Sequence, residues 1–248
     1  MNIKTKGIIL KQTNYSEADK MLTVFTEEFG IISVKARGAR RYKSHMSAAA
    51  QVFCYNEFVL FASGGYYSLV SADIIESFYE LRNNFVNLAL ANYLADITYT
   101  VLQPANPDAS VLKLLLNMIY ALANATHNAD KIKCAFELRL MSEAGYMPQL
   151  QKCGACASEE NISGFDIGHG CVVCASCLDT DNAYPLSSAM HKAMQYILYA
   201  NEKKILAFDI PQEDIERLNT ISQRYVSKHS ERDFASLTYY TNIKETKI

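Results

Sequence analysis

The chain has 248 residues, half of them hydrophobic and a fifth charged, which is the balance of a globular protein with a substantial core. The net charge of -2 excludes a uniformly basic nucleic-acid binder, so a protein of that class must concentrate its cations locally. No apolar run approaches the roughly 18 residues of a membrane span, and residues 1–20 lack a signal-peptide core. We therefore expect a cytoplasmic protein without membrane segments, whose seven cysteines are thiols or metal ligands rather than disulfides.

The first 80 residues are predicted to form a small β-barrel. Short runs rich in β-branched and aromatic residues are separated there by turn residues such as Gly30, Gly38 and Gly64-Gly65. Five strands in so little sequence suit a closed barrel of OB or SH3-like type. The predicted strands are Ile8–Leu10, Met21–Phe25, Gly30–Lys35, Gln51–Phe61 and Tyr66–Val70.

Beyond residue 80, apolar residues recur at the 3.6-residue period of helices. Gly145 and Pro148 end the third helical stretch, and Ser187 is a candidate N-cap for the next. The sequence predicts an α+β multidomain protein: an N-terminal barrel, then a helical middle and C-terminal domain with an inserted four-cysteine knuckle. The predicted boundaries are 1–80 for the barrel, 81–150 for the helical domain, 151–183 for the knuckle, and 184–248 for C-terminal helices packing on the helical domain.

Five clustered cysteines carry the strongest chemical signal. Cys153 and Cys156 form one Cys-x-x-Cys turn, and Cys171, Cys174 and Cys177 follow at the same spacing. Two such turns supply the four thiolates of a closed tetrahedral zinc site, with Zn–S distances near ~2.3 Å. A site with no open position is structural, so we expect one structural Zn²⁺ and no zinc catalysis.

The second cysteine pair has two alternatives, Cys171 with Cys174 or Cys174 with Cys177. We favour Cys174 and Cys177, because Gly168–Gly170 resembles a hairpin turn that leaves Cys171 on a strand. A disulfide or redox role is the alternative to zinc, and His169 is an alternative ligand. No nucleotide-binding, protease or hydrolase motif is present, and we expect no enzymatic activity.

A basic segment lies between residues 35 and 43, and no acid occurs between Glu28 and Glu57. Its arginines can pair with phosphates, and Tyr42 can stack on a base. A solvated loop with surplus charge is the alternative interpretation. The predicted DNA contacts are Lys35, Arg37, Arg40, Arg41, Tyr42 and Lys43, with Ser44, Lys6, Lys11 and Lys20 as possible extensions and Phe61, Tyr66 and Tyr67 as stacking candidates.

Three parts of the sequence are distinctive together: Gly7–Leu10 with Ser16–Lys20, Phe25–Gly30 with Ala36–Ser44, and Phe136–Pro148 leading into Cys153. In their order and spacing these stretches resemble the RecO family of bacterial recombination mediator and DNA-repair proteins. Gly170-Cys171 departs from the Gly-Gly of relatives, and Ser236–Tyr240 matches the family ending only loosely.

The resemblance implies an OB-fold barrel, a helical region and, in many members, a zinc knuckle. It implies binding of single- and double-stranded DNA, annealing of complementary strands, and help in loading RecA onto strands covered by single-stranded-DNA-binding protein (SSB). RecR and the SSB tail are the expected partners, at a nucleoid-associated location. Lys192, Lys203 and Arg224 are candidate cations for the acidic SSB tail.

Two other function classes fit the same residues. One is an RNA-binding OB protein with a zinc knuckle, which would prefer RNA through 2′-hydroxyl contacts. The other is a scaffold without a nucleic-acid role, whose basic loop is solvated or binds an acidic protein. A nuclease is disfavoured, because the sequence has no evident cluster of carboxylates for Mg²⁺.

Overall fold

The computed structural model describes residues 1–41, 46–102, 106–179 and 183–246. In these ranges the chain begins with a closed barrel whose strands are arranged β1-β2-β3-β5-β4, with β4 pairing back onto β1. The strands are β1 Asn2–Asn14, β2 Lys20–Thr26, β3 Gly30–Ala36, β4 Tyr55–Ser63 and β5 Tyr66–Glu76.

Alternating side chains fill this barrel. Leu22 and Val24 on β2 and Phe58 and Leu60 on β4 are fully buried, as the period of two in a strand requires. All strand pairs are antiparallel except β3 with β5, where Val34 lies opposite Tyr67. This strand order and its single parallel closure give the five-stranded OB-like barrel that the sequence predicts.

The predicted fourth strand begins too early in the sequence. Residues Gln51–Cys54 form a turn, and β4 starts at Tyr55. Phe53 has a φ of 71°, a left-handed conformation that no strand accommodates. Its backbone N–H donates to Ile9 O at 2.8 Å, so the turn folds back onto β1 instead of extending β4.

The helices of the described residues largely follow the predicted periodicity, except that the last was not foreseen. Asn84 and Asp108 cap α1 and α2 by accepting backbone N–H groups with their side chains. A 3-10 turn at Tyr79–Asn83 precedes α1. The helices are α1 Phe85–Val101, α2 Ala109–Ala123, α3 Ala129–Glu143, α4 Ser188–Tyr199, α5 Gln212–Ser230 and α6 Ala235–Glu245.

The end of α3 leads the chain into the cysteine region. Gly145 has a φ of 93° and donates to Ser142 O, while the N–H of Tyr146 donates to Met141 O at 2.8 Å. These two bonds form a Schellman motif, the stop that Gly145 predicts. A three-stranded sheet follows, in the order β7-β6-β8, from β6 Ile162–Asp166, β7 Cys171–Cys174 and β8 Ala183–Pro185.

The chain divides into two compact units, Met1–Asn124 with Ser236–Ile248, and Ala125–Ala235. In the first unit the barrel is joined by α1, α2 and α6. In the second, α3 packs against α4 and α5 beside the small sheet. The predicted four-part division draws different boundaries and stays a prediction. Among the described residues, no helix combines the length and the apolar character needed to span a membrane.

Candidate metal centre and nucleic-acid interface

The first Cys-x-x-Cys turn is held by its own backbone. The N–H of Cys153 donates to Ser158 O at 2.7 Å, and the N–H of Ala157 donates back to Cys153 O at 2.8 Å. Gly154 N–H donates to Val172 O at 2.9 Å, which fixes the turn to β7. The first pair of cysteines is thereby held next to β7, the strand that ends at Cys174.

Four sulfurs converge at this point, from Cys153, Cys156, Cys174 and Cys177, and all lie within 4.8 Å of one another. The Sγ atoms of Cys156 and Cys174 are 3.7 Å apart. Four ligands around a tetrahedral ion with Zn–S bonds of ~2.3 Å lie about 3.8 Å from each other. The cluster therefore has the size and the donor type of a four-thiolate zinc site.

The strand geometry separates Cys171 from this cluster. Side chains alternate along β7, so residues three apart, such as Cys171 and Cys174, face opposite sides of the sheet. The 3-10 turn Ala175–Cys177 then bends the chain and returns Cys177 to the side of Cys174. Cys171 is buried against Gly154 instead, and the exposed ring of His169 pairs with Asp166 at the β6–β7 turn.

The pKa values of two of these thiols, Cys153 and Cys177, are shifted in opposite directions. A hydrogen bond from the backbone N–H of Cys174 is the main cause that lowers the pKa of Cys153, to about 6. Burial opposes this shift, and the N–H groups of Cys156 and Ala155 add to it. Hydrogen bonds to the sulfurs of Cys156 and Cys174 raise the pKa of Cys177 to about 12. Cys177 therefore keeps its proton at neutral pH unless a cation lies among the sulfurs, which is what a bound metal supplies.

The basic segment starts where β3 ends, and an acid organises it. Asp19 Oδ1 accepts from the N–H of Gly38 at 2.9 Å, and Asp19 Oδ2 lies 3.2 Å from Lys35 Nζ. The Gly38 hydrogen bond, followed by Lys35, holds the pKa of Asp19 below its ordinary value. Lys35 also lies over the ring of Tyr15, 4.8 Å from its centroid. This lysine is therefore largely engaged within the protein.

The arginines that follow Lys35 differ in how far their side chains are bound to the rest of the protein. Arg41 N–H donates to Gly38 O at 3.0 Å and closes a turn, which Gly38 allows with a φ of 68°. Arg40 is anchored to the neighbouring loop by its backbone N–H, on Ala18 O, and by its guanidinium, on Ser16 O. Arg37 and Arg41 are exposed and join none of the ion pairs found among the described residues. Predicted contacts Tyr42 and Lys43, with Ser44, lie outside the described residues.

The candidate stacking aromatics separate by exposure. Phe61 and Tyr66, at the β4–β5 hairpin, are 48% and 81% exposed, so their rings can meet a ligand. Tyr67 is half-buried and packs on Phe29, with ring centroids 6.3 Å apart. The ring of Tyr67 is therefore part of the barrel packing and is not available as a stacking surface.

Sequence reasoning did not assign a role to Asp19. Its side chain lies in the β1–β2 connection and holds the basic segment through Gly38 and Lys35. These contacts join distant parts of the sequence, so only the folded structure shows them. The one local signal is the pattern Ser16-Glu17-Ala18-Asp19, in which Asp19 N–H donates to Ser16 Oγ at 3.1 Å and closes a tight turn.

Comparison with known proteins covers nearly the whole chain. The family model described as Recombination protein O N terminal matches residues 1–78. The model described as Recombination protein O C terminal matches residues 82–238. The first match contains the barrel and the basic segment, and the second contains the five clustered cysteines, four of which converge.

Curated relatives match this chain over 89–99% of their own length. The chain is 35% identical over 247 residues to the DNA repair protein RecO of Acetivibrio thermocellus, covering 99% of this chain and 98% of that one. It is 31% identical over 244 residues to that of Caldicellulosiruptor bescii (98% and 99%), and 28% over 228 residues to that of Halalkalibacterium halodurans (92% and 89%). With its barrel, its cysteine cluster and these matches, the chain belongs to the RecO family of DNA repair and recombination proteins.

Proposed function

We propose that this chain is a recombination mediator that binds single- and double-stranded DNA, anneals complementary strands and helps load RecA onto SSB-coated strands together with RecR. The family is one of recombination mediators and not of enzymes. The observation that carries the DNA-binding part is the basic turn after β3, where Arg37 and Arg41 face solvent beside an OB-like barrel. The proposed site of action is the bacterial nucleoid, in the cytoplasm.

The phosphate contacts of the proposal are Lys35, Arg37, Arg40, Arg41 and Lys43, with Tyr42 stacking on a base. Arg37 and Arg41 are the foremost of these, because Asp19 neutralises much of the charge of Lys35 and Arg40 already donates to Ser16 O. Cations on a rigid barrel neutralise the repulsion between two strands, which permits their annealing. Binding then releases counterions and weakens steeply with salt.

A single structural Zn²⁺ is the proposed cofactor, held by Cys153, Cys156, Cys174 and Cys177. The convergence of four sulfurs supports it. The ion would supply the positive charge that allows all four thiols to ionise, and it would crosslink the first turn to β7. Since all four positions of a tetrahedral ion would be filled by protein, the metal would stabilise the fold and not activate water.

The second compact unit, Ala125–Ala235, is the proposed binding site for the SSB tail, which is acidic and ends in apolar residues. This unit has a cavity of about 560 Å³ that is lined by Lys192 and by the aromatic residues Tyr196 and Phe208. Of the three candidate cations, Lys192 is the one that lines it, and Arg224 instead donates to the hydroxyl of Tyr184. A cation beside an apolar groove is the chemistry that such a tail requires, although Asp209 also lines this cavity.

Fluorescence anisotropy of labelled single-stranded DNA, measured at several salt concentrations, tests the proposal. We expect tight binding at low salt, and the double variant Arg37→Ala/Arg41→Ala to flatten the salt slope by about 0.7 for each phosphate that the variant no longer neutralises. Lys113→Ala, at an exposed position on α2, is the matched control and should leave the slope unchanged.

The competing functions give different results in the same titration. Preference for RNA over DNA of the same sequence would replace the DNA mediator with an RNA binder. Absence of binding by the wild-type protein even at low salt would favour a scaffold. Unchanged affinity and slope in the double variant would overturn the assignment of the basic turn. Strand annealing and RecR binding are measured next on the same variants.

A further inference from the structure

A second cationic feature of the first unit lies beside the barrel, in a cavity of about 460 Å³. Its floor includes the buried ring of Phe53, and α1 borders it with Leu88 and Asn92. Its lining contains two cations and no acid. The polar part of the lining consists of Gln12, Lys20, Ser47, Gln51, Arg82 and Asn92.

Both cations are held by neutral partners. Lys20 Nζ donates to Gln12 Oε1 at 2.8 Å, and Arg82 Nη2 donates to Gln51 Oε1 at 2.9 Å and to Val52 O. Neither residue joins an ion pair within the described part of the chain. The cavity therefore keeps two positive charges that the protein itself does not neutralise.

The rest of the lining suits an anion as well. The side chains of Gln12, Gln51 and Asn92 carry amide donors, and Ser47 carries a hydroxyl. Lysine, arginine and amide donors around one volume are the groups that contact phosphate oxygens. The volume is in the range of sites that hold a small molecule or a single nucleotide unit.

The backbone that builds this cavity is unusual. Phe53 is a non-glycine residue with a φ of 71°, a conformation that persists where the surrounding structure imposes it and that clusters at ligand sites. Its N–H donates to Ile9 O, next to the register shift between Ile9 and Lys11 in β1. The strained turn places Gln51 and Val52 where Arg82 can reach them.

One residue of the cavity lining is close to the basic segment along the strand ladder. Lys20 lies opposite Ala36 in the β2–β3 ladder, one residue from Lys35 and from Arg37. We infer that this cavity is a second phosphate site, in which Lys20 and Arg82 hold one phosphate of a strand that also crosses the basic turn. The inference rests on the proposed DNA binding and extends it to a named second contact.

Two variants test the cavity without disturbing its walls. Lys20→Ala removes one cation whose only described bond is to exposed Gln12. Asn92→Asp puts a carboxylate into the lining from an exposed position on α1, at the loss of a bond to Leu88 O. Arg82 is left intact because it also anchors the turn. Asn242→Asp, exposed on α6, adds the same charge elsewhere in the unit and is the control.

Anisotropy titrations with oligo(dT) of increasing length provide the first measurement. We expect Lys20→Ala to weaken binding several-fold at low salt and to reduce the salt slope by about 0.7, the share of one phosphate on a single strand. Asn92→Asp should weaken binding similarly, and Asn242→Asp should match the wild type. If the wild type binds DNA and both cavity variants bind it equally well, the second site is wrong and the proposed function stands.

A comparison of 5′-phosphorylated and 5′-hydroxyl strands identifies the source of the phosphate. Equal affinities indicate an internal phosphodiester, and a Lys20-dependent preference for the phosphorylated end indicates a terminal phosphate. An NMR titration with pyrophosphate tests the site independently of DNA. Shifts of the Gln51 and Asn92 side-chain amides that are lost in Lys20→Ala support the anion site even if the wild type fails to bind DNA. Absence of those shifts overturns the anion site, just as unchanged DNA binding in both variants overturns its contact with DNA.

Discussion

The carboxylate of Asp19 accepts a 2.9 Å hydrogen bond from the backbone N–H of Gly38, nineteen residues further along the chain. The bond crosses from the β1–β2 connection to the turn that follows β3, and the same carboxylate pairs with Lys35. An acid thus sets the shape of the most basic segment of the protein. The arrangement separates a cation that serves the fold, Lys35, from those that face solvent, Arg37 and Arg41.

Asp19 gives stability a pH dependence. Its pKa is lower in the folded chain than its ordinary value of 3.8, mainly because of the Gly38 bond and then Lys35. The stabilisation is therefore complete above about pH 4 and is lost as pH falls through the lower, folded-state pKa. We expect the free energy of unfolding of wild type minus that of Asp19→Asn to be constant at neutral pH and to shrink in acid. Urea denaturation across pH measures it, with Asp73→Asn, on the exposed part of β5, as the control.

Metal content distinguishes the cysteines. We expect about one zinc per chain in the wild type, and loss of the metal with a lower melting temperature in Cys156→Ser and Cys177→Ser, because each removes one of the converging sulfurs. Cys171→Ala should retain the metal, since its sulfur lies outside the cluster. Elemental analysis of purified variants decides. Retention of zinc in Cys177→Ser and its loss in Cys171→Ala would reverse the ligand assignment.

Gly154 is required by the close approach of Cys171. A Cβ at this position would lie 2.3 Å from Cys171 Sγ and 3.0 Å from Cys171 Cβ. We expect Gly154→Ala to lower the free energy of unfolding by about 1–3 kcal/mol, the usual cost of overpacking. The substitution should cost less in a Cys171→Gly background, where both contacts are absent. Chemical denaturation of the wild type, the two single variants and the double variant gives the coupling free energy between the two positions. Additive losses in the free energy of unfolding would contradict the steric explanation.

A buried charge cluster joins α3 to α5. Lys133 Nζ lies 2.9 Å from Glu137 Oε1, and Ser222 Oγ donates to Glu137 Oε2 at 2.5 Å. Both charged side chains are almost fully buried, so Glu137→Gln removes the counter-charge of a buried ammonium. We expect a loss of about 3–5 kcal/mol in the free energy of unfolding. Ser222→Ala removes only the hydroxyl donor and should cost about 1–3 kcal/mol.

The double variant Lys133→Met/Glu137→Leu is the control for that prediction. It removes both charges together, and it should be considerably more stable than Glu137→Gln, because desolvation offsets much of the attraction within a buried pair. Equal losses in the single and double variants would show that packing, and not the charge balance, accounts for the effect.

Local patterns were sufficient for much of the fold. The observed elements were predicted by the β-branched and aromatic runs of β2 and β3, by helical periodicity from α1 to α5, and by Gly145 as a stop. The turn at Gln51–Cys54 was missed because its composition is that of a strand. Only the contact of Phe53 with β1 and its left-handed φ make it turn, and both depend on the barrel. Helix α6 was missed because its apolar periodicity is weak, with only Leu237 and Tyr240 buried.

The candidate sites were less accessible from sequence. Cysteine spacing alone left Cys171 and Cys177 equivalent, and the alternation of β7 with the following 3-10 turn is what separates them. The cavity around Lys20 and Arg82 had no linear signature, because its residues come from β1, β2, the turns before β4, the 3-10 turn Tyr79–Asn83 and α1. Such a set is assembled by the barrel and the helix together, and no local window contains it.

The first compact unit is discontinuous in sequence, since the chain leaves it at Asn124 and re-enters it at Ser236. Ser236 Oγ donates to Asp96 Oδ2 at 2.6 Å and ties α6 back to α1. During synthesis, every residue of the cysteine-containing unit is therefore made before the barrel unit receives its last helix. A stop codon at residue 236 would leave the cysteine-containing unit complete and would deprive the barrel unit, most of which is translated first, of nearly all of α6.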